Sequence, residues 1–438
     1  MANEFVVRKG LAIATSSISV GVVTDTKVLV LGEDNIVRYR TDIVGGGGGS
    51  TVNAAGPTNS IQISAGTLGL TGFGLVDSAR GNISFNEPGF NVTLTGTNNV
   101  LMGFTASINM TSGACNTIVG AGAGSSITTN SGNTFYGYCA GSSTTVDLNT
   151  FIGFRAGVAN TSGVCNTYIG VEAGLNNNTL SGNTFIGYQS GQLSTVTSKS
   201  TYIGSFAGQC SRGIDNVYIG HDSGRSTSTS APTSNVFIGV ASGCINVGDN
   251  NTFIGRSTGT LNTSGTQNTF LGGFAGASNS TSGCNTYIGY NSGKEVNTGS
   301  DNVSIGVCSM MCSNISSNNI AIGSGTLAKN SNSITENTAV GYCSMNLSTT
   351  AFKNVAIGSR SLQNTLSGCG NTHIGWNSGT TGNFTSTIAL GACAQPTANN
   401  QLVIASIDFP VGTASSGSFT YYLNVKVNGI DFKIPLYS

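Results

Sequence analysis

The sequence predicts an all-β protein, most of it a repetitive β-solenoid or β-prism shaft. Composition is the first observation: 64 of the 438 residues are glycine, only 8% are charged and 38% are hydrophobic. That is too apolar for a disordered Gly/Ser tract and too poor in helix formers for helices. Repetition is the second, because NTFIGYQSG (183–191) recurs almost unchanged as NTFIGFRAG (149–157) and NTYIGVEAG (166–174). Short apolar kernels between turn residues are typical of β structure.

The glycine that ends each kernel sets the period of the repeat. Eighteen such closing glycines occur, with spacings of 17 in most cases and 16 to 19 throughout. They fall at 103, 120, 137, 153, 170, 187, 204, 220, 239, 255, 272, 289, 306, 323, 341, 358, 375 and 391. We therefore expect about eighteen 17-residue coils, each named below after its closing glycine.

The three residues before each closing glycine form the predicted strand. Its first residue is β-branched in every coil, and its third is apolar in all but one, where Tyr136 stands. Because alternate residues share one side of a strand and branched side chains pack well, we expect the first and third residues to face the interior. The residue before the strand is Asn in sixteen of eighteen coils, the exceptions being Ser200 and Thr387. Stacking predicts a ladder of these Asn side chains.

The middle strand position and the fourth residue after the closing glycine (the facing position) change together. From the Gly137 coil to the Gly289 coil the middle residue is always aromatic and the facing residue always Gly. In the next four coils the middle residue is Ser or Ala and the facing residue Met or Leu; at His373 and Gly379 a ring and a glycine return. This exchange of volume indicates that the two residues touch, within one coil or across a chain boundary.

A coil this short cannot bury a hydrophobic face alone, so the coils must stack. Eighteen coils at strand spacing make a shaft of about 85 Å. Because the coil is thin and rich in glycine, we expect several chains to share one axis, as an intertwined or side-by-side homotrimer. A monomeric solenoid is the alternative.

The region before the shaft divides into three predicted parts. Residues 1–44 form a β attachment segment with apolar stretches at 5–7 and 27–40, the latter containing GEDN as a turn. Five glycines and a serine at 45–50 form a flexible linker. Residues 51–98 are a β-like, aperiodic transition region into the shaft, which spans 99–395.

The C-terminal region, 396–438, alternates apolar and polar residues around Asn428-Gly429. That dipeptide is the strongest short signal for a β-hairpin. The hairpin would either cap the last coil of the shaft or form a binding tip.

Residues that could carry chemistry are few. His221 and Asp222 occupy a repeat position and are expected to be a solvated surface pair, and His373 to be a packed ring. The glycines of 120–124 resemble a phosphate-binding turn, but no helix follows to complete it. We expect no catalytic residue, no cofactor site and no metal site, and therefore no enzyme.

The eleven cysteines follow the phase of the repeat. Cys139 and Cys308, for example, lie two residues after a closing glycine, whereas Cys115 lies five before one. Buried free thiols are the expected state, with disulfides between chains as the alternative.

Seventeen basic and seventeen acidic residues balance, so no electrostatic footprint for nucleic acid is present. No apolar run of a secretory signal opens the chain, and no stretch approaches the length of a membrane span. Neither nucleic-acid binding nor membrane insertion is expected.

The kernels NVAIG (354–358) and NTAVG (337–341) resemble the head repeats of trimeric autotransporter adhesins. The whole set, 99–391, is similar to repeat shafts in tail-fibre-like proteins of phages and large DNA viruses. The resemblance implies a trimeric virion fibre that mediates host attachment, held to other virion proteins by its N-terminal segment. A host glycan or surface protein would be the receptor. Without an export signal or membrane anchor, a fibre at the virion surface, released by lysis, fits better than a bacterial adhesin.

Two other functions are compatible with a β stack. The chain could be a subunit of a self-polymerising extracellular filament or adhesin, joined through its termini. A polysaccharide-cleaving enzyme would need clustered Asp and Glu on one face, and the acidic residues here are few and scattered.

Overall fold

The computed structural model describes residues 28–31, 37–40, 75–77, 79–85, 94–195, 198–226, 231–329, 334–379, 382–404, 421–427 and 430–436. The chain divides into two compact units, residues 1–67 and 68–438. Strands and turns account for all regular structure within the described ranges, so the all-β prediction is confirmed there.

In the first unit, β1 (Val28–Leu31) and β2 (Val37–Arg40) pair antiparallel. They flank the predicted GEDN turn. The turn itself, the apolar stretch at 5–7 and the linker at 45–50 lie outside the described residues.

In the second unit, one sheet grows coil by coil along the chain. Strand β3 pairs antiparallel with β4, and every later strand of the stack pairs in parallel with the one before it. The strands are β3 (Leu75–Asp77), β4 (Asn82–Phe85), β5 (Val100–Met102), β6 (Thr117–Val119), β7 (Thr134–Tyr136), β8 (Thr150–Ile152), β9 (Thr167–Ile169), β10 (Thr184–Ile186), β11 (Thr201–Ile203), β12 (Val217–Ile219), β13 (Val236–Ile238), β14 (Thr252–Ile254), β15 (Thr269–Leu271), β16 (Thr286–Ile288), β17 (Val303–Ile305), β18 (Ser316–Ser317), β19 (Ile320–Ile322), β20 (Ile334–Thr335), β21 (Thr338–Val340), β22 (Val355–Ile357), β23 (Thr372–Ile374), β24 (Ile388–Leu390) and β25 (Leu402–Ile404).

The second unit thus contains a parallel β-solenoid with about 17 residues per coil. The eighteen predicted coils are all present. Strand β25 extends the parallel stack at one end, and β4, followed by the antiparallel β3, extends it at the other. At strand spacing the stack is about 90 Å long. Strands β18 and β20 lie outside it and pair with each other, starting a short second ladder that continues through Phe352 and Cys369.

The prediction of which strand residues face the interior was wrong. In each of the eighteen coils the middle residue is buried, whereas the first and third are partly or fully exposed. Phe135, Phe185 and Ala339, for example, are 0% exposed. The alternation along the strand was predicted correctly, but the buried and exposed sides were exchanged. So narrow a coil holds only one large residue of each strand, the middle one.

The predicted contact between the middle and facing positions is confirmed within a single coil. A Cβ on Gly141 would lie 2.7 Å from the Phe135 ring, and a Cβ on Gly157 would lie 2.6 Å from that of Phe151. The ring therefore occupies the space that a facing side chain would need. Where the middle residue is Ala339, the facing Met345 is itself fully buried.

The predicted Asn ladder is also confirmed. Oδ1 of Asn99 accepts hydrogen bonds from the backbone N–H (3.0 Å) and Nδ2 (3.0 Å) of Asn116 in the next coil. Nδ2 of Asn99 also donates to the carbonyl of Gly113 at 2.8 Å. Ser200 continues the ladder, since its hydroxyl oxygen accepts a hydrogen bond from the N–H of Asn216 at 3.3 Å. Each rung thus satisfies buried polar groups that packing alone would leave unpaired.

The closing glycine allows successive coils to approach. Gly137 has φ 137°, and a Cβ there would lie 2.6 Å from the carbonyl carbon of Gly153 in the next coil. Any side chain at this position would push the coils apart, so glycine recurs at each corner.

At the C-terminal end, β26 (Tyr421–Val427) and β27 (Ile430–Leu436) pair antiparallel, with Val427 opposite Ile430. This confirms the two strands of the predicted hairpin. The Asn428-Gly429 turn and residues 405–420 lie outside the described residues.

Candidate interaction surface

The outward side of the parallel sheet is the largest regular surface of the solenoid. It consists of the first and third strand residues of the eighteen coils, here termed the outer ladder. The first residue is Thr, Val or Ile throughout, and the third is Ile in most coils. Ile320, Ile374 and Ile388 are each about 40% exposed. Two columns of mostly β-branched side chains, Thr, Val and Ile, therefore run along the rod and are partly exposed in most coils.

A column of aromatic rings borders the outer ladder, at the residue directly after the closing glycine. Seven such rings are 46% to 62% exposed. They are Phe104, Tyr138, Phe154, Tyr188, Tyr290, Tyr342 and Trp376. Neighbouring rings stack where the sequence permits, as Tyr138 and Phe154 do with centroids 5.4 Å apart.

The exposed rings are distributed along the stack, in seven of its eighteen coils. At about 200 Å² for a whole aromatic side chain, seven half-exposed rings alone present about 700 Å². A stable interface needs about 800 Å² from each partner, so a partner that contacted the whole length of the stack would obtain most of that area from the rings.

The outer ladder carries no charged residue in any of the eighteen coils. Charges instead cluster at the corners. Glu172 accepts hydrogen bonds from Arg155 at 3.2 Å, Gln189 at 2.9 Å and Gln192 at 2.7 Å. Because buried charge is costly and this ladder has none, the ladder can be covered by an apolar surface without an electrostatic penalty.

The pair singled out in the sequence, His221 and Asp222, lies on the surface as expected. Nδ1 of His221 is 3.1 Å from Asp222, and Arg225 contacts the other oxygen of the same carboxylate at 3.1 Å. Burial, and then the Asp222 charge, raises the pKa of the nearby Cys244 thiol. A raised pKa is the opposite of what a nucleophilic cysteine needs. The geometry is that of a surface ion-pair cluster.

His373 is a packed ring, as predicted. It is 2% exposed, and its Nε2 lies 2.8 Å from the Thr387 hydroxyl. Burial lowers its pKa to about 4, so the imidazole is neutral near pH 7. The glycines at 122 and 124 adopt left-handed corner conformations like those of other coils.

All eleven cysteines are free, but the expectation that they are buried was wrong. Cys115, Cys165 and Cys284 are exposed, and the other eight are half-buried. The reason is their phase: Cys115 and Cys139, for example, occupy left-handed corner positions at the edge of the coil. No cluster of three metal-ligating side chains, and no helix capable of crossing a bilayer, occurs in the described ranges.

Sequence reasoning missed the outer ladder, although the signal was present. The middle residue exchanges volume with a facing residue across the coil, so it must point inward. The first and third residues must then point outward, whatever their β-branching suggests.

Comparison of the chain with family models, with curated proteins and with solved structures finds no match.

Proposed function

We propose that this protein is a structural fibre of a virus or phage particle, a rigid homotrimeric stalk that mediates attachment to a host surface. One observation carries the proposal. A continuous ladder of uncharged side chains, mostly Thr, Val and Ile, runs the length of a solenoid whose core and Asn ladder are unbroken over eighteen coils. Such a molecule provides length and stiffness, and it presents a face suited to association.

A second and third copy of the chain are the partners that fit the ladder. Its side chains repeat at every coil, so a covering surface needs the same period and the same length. Another copy has the same period and the same length. Chains packed on a shared axis would remove the partly exposed Ile side chains from water. Trimers rather than dimers follow from the resemblance to trimeric adhesins and viral fibres.

In the fibre, residues 1–44 would attach the stalk to other virion proteins, and the C-terminal end would be outermost. A host glycan or surface protein would be the receptor. The protein would reach the virion surface or the extracellular space by lysis of the host cell.

A self-polymerising filament or adhesin subunit is the second candidate, favoured by one observation. Strand β25 pairs only with β24 among the described strand pairings, and a further chain could pair with its other edge. Deleting residues 1–50 separates the candidates, because a polymer joined at its termini would lose its filaments whereas a virion fibre would keep its rod.

The test is the native mass of the purified chain by light scattering, with electron microscopy of the same sample. The mass of three chains on discrete rods is expected. A variant with Ile152→Asp, Ile186→Asp and Ile219→Asp should fall to the mass of one chain. The matched control, Thr129→Asp, Ser162→Asp and Thr179→Asp, adds the same charge at exposed positions outside the ladder and should stay trimeric.

A single-chain mass for the unmodified protein would overturn the shared-axis fibre. Filaments of indefinite length would favour the polymer instead.

A further inference from the structure

A groove opens on another side of five successive coils, from the Gly255 coil to the Gly323 coil. It has a volume of about 600 Å³, within the range of ligand-binding clefts. One wall is the sixth residue after each closing glycine: Leu261, Ser278, Glu295, Cys312 and Lys329. The other is the eighth residue of the three middle coils: Ser280, Asn297 and Asn314. Five coils at strand spacing make it about 20 Å long.

Leu261 lies in the first of the five coils and Lys329 in the last. The small Ser278 and Ser280 lie in the coil next to Leu261. The groove runs parallel to the rod axis, so it suits an elongated ligand rather than a compact one.

The backbone of both walls is already paired from coil to coil. On the first wall, the N–H of Ser278 donates to Lys294 at 2.8 Å and that of Glu295 to Met311 at 2.9 Å. On the second, the N–H of Asn297 donates to Asn314 at 3.0 Å. A peptide could not add itself here as a strand, because strand addition needs free backbone groups.

The groove therefore recognises its ligand through side chains. It presents two amides, two hydroxyls, one carboxylate and one ammonium, with Leu261 as an apolar contact. The Ser280 hydroxyl already donates to the side-chain and backbone oxygens of Asn297, so Nδ2 of Asn297 is the donor that this pair offers a ligand. Burial, and then the neighbouring Glu295, raises the pKa of the Cys312 thiol, so that group is neutral. Glu295 and Lys329 carry opposite formal charges, so the lining has no net formal charge. The amides donate and accept hydrogen bonds and the carboxylate accepts them, which suits the hydroxyls of a polyhydroxylated ligand.

We propose that this groove is a binding site for a linear, uncharged oligosaccharide. The inference rests on the proposed attachment function, since it names the class of receptor that the stalk would engage. In a trimer three such grooves would act together, so weak single-site binding would become firm attachment by multivalency.

The experiment uses the full-length protein on an array of purified linear oligosaccharides of three to six units, in neutral, sulfated and sialylated sets. Binding to members of the neutral set is expected. Ser278→Trp should abolish it by filling the groove. Glu295→Gln should weaken it by about tenfold, the loss of one hydrogen bond to a charged group. Asn364→Ala, at the same sixth position in the Gly358 coil and exposed, is the matched control and should bind normally.

Absence of neutral-oligosaccharide binding would overturn the proposal, as would binding that survives Ser278→Trp. Preference for the sulfated or sialylated set would overturn the uncharged class. Light scattering and microscopy of the same samples test the fibre proposal separately. Trimeric rods that bind no oligosaccharide would refute the binding site and leave the fibre proposal intact.

Discussion

The coils from Gly137 to Gly289 and those from Gly306 to Gly358 build the same solenoid from opposite core residues. In the first segment ten rings form one continuous stack, with centroids 4.7 to 5.0 Å apart and planes within 10° of parallel. In the second, Ser or Ala replaces the ring, and a buried Met or Leu fills the space from the facing side. Each coil thus has a fixed core volume that either the middle residue or the facing residue can fill.

The two solutions place different demands on the backbone. The facing position is left-handed in both segments, with φ 58° at Gly141 and 49° at Met345. Glycine adopts this conformation freely, whereas a residue with a side chain pays about 1–2 kcal/mol. The aromatic segment therefore combines an unstrained corner with ring stacking. It also buries tyrosine hydroxyls: that of Tyr202 donates to Ser211 at 3.1 Å, and burial raises the pKa of Tyr202 to about 12.

The largest predicted effect comes from changing the middle or the facing residue of one coil alone, so that its core volume is no longer matched. Phe185→Ala should lower the free energy of unfolding by about 3–5 kcal/mol, because it empties the core of that coil and interrupts the stack. Gly191→Leu should be damaging too, since a Cβ at Gly191 would already lie 2.6 Å from the Phe185 ring. Hydrogen exchange of peptides covering the coil is the measurement, because each coil contacts only its neighbours and the damage is local.

The double variant Phe185→Ala with Gly191→Leu recreates the aliphatic arrangement and should recover most of the lost protection. The reverse pair, Ala356→Phe with Leu362→Gly, is the control in the other segment. Losses that simply add in the double variant would show that the two positions are independent.

The second prediction concerns what both segments share. Asn183→Ala should destabilise its coil by about 1–3 kcal/mol, because the buried N–H of Ser200 loses its acceptor. Asn319→Ala should cost a similar amount, although its core is aliphatic, since the N–H of Asn337 depends on it in the same way. Asn183→Ser, which imitates the natural Ser200, should cost less. A clear difference between the two segments, measured by urea unfolding, would mean that the core and the ladder are coupled.

The third prediction uses the coil in which a ring returns after the aliphatic segment. His373 has a folded-state pKa of about 4, below the ordinary value of about 6.5. The unfolded chain therefore binds the proton more readily between these values. Stability from the neutral ring is complete above about pH 6.5 and is lost as the pH falls toward 4.

Hydrogen exchange of the Gly375 coil at pH 7 and at pH 4.5, corrected for intrinsic rates, measures this loss. His373→Phe keeps the ring without the titration and should remove the pH dependence of that coil. An unchanged dependence in the variant would assign it to other groups.

Much of this comparison was predictable from the sequence. The period, the strands, the Asn ladder and the contact of Phe185 with Gly191 all follow from residues that recur or change together. The side of the strand that faces the interior was predicted wrongly. The β-branched residues fit any pleated surface, so Thr184 and Ile186 were expected in the core. The groove could not be predicted either. The groove is lined by side chains of five coils, from Leu261 to Lys329. Which of them meet depends on how the corners of the coils fold.

The smallest predicted effect tests the strain at the corners. The second residue after the closing glycine is left-handed in every coil, with φ 52° at Ser257 in the aromatic segment and 65° at Gly325 in the aliphatic one. Ser257→Gly should raise the free energy of unfolding by about 0.5 kcal/mol, because relief of left-handed strain exceeds the added entropy of the unfolded chain. Gly325→Ala should lower it by about 1 kcal/mol, since its Cβ would also lie 3.1 Å from the sulfur of Cys343. Shifts of the urea midpoint in opposite directions would mean that left-handed strain acts on the corner in both segments. If Ser257→Gly destabilises the protein, the serine corner is held by contacts that outweigh its backbone strain.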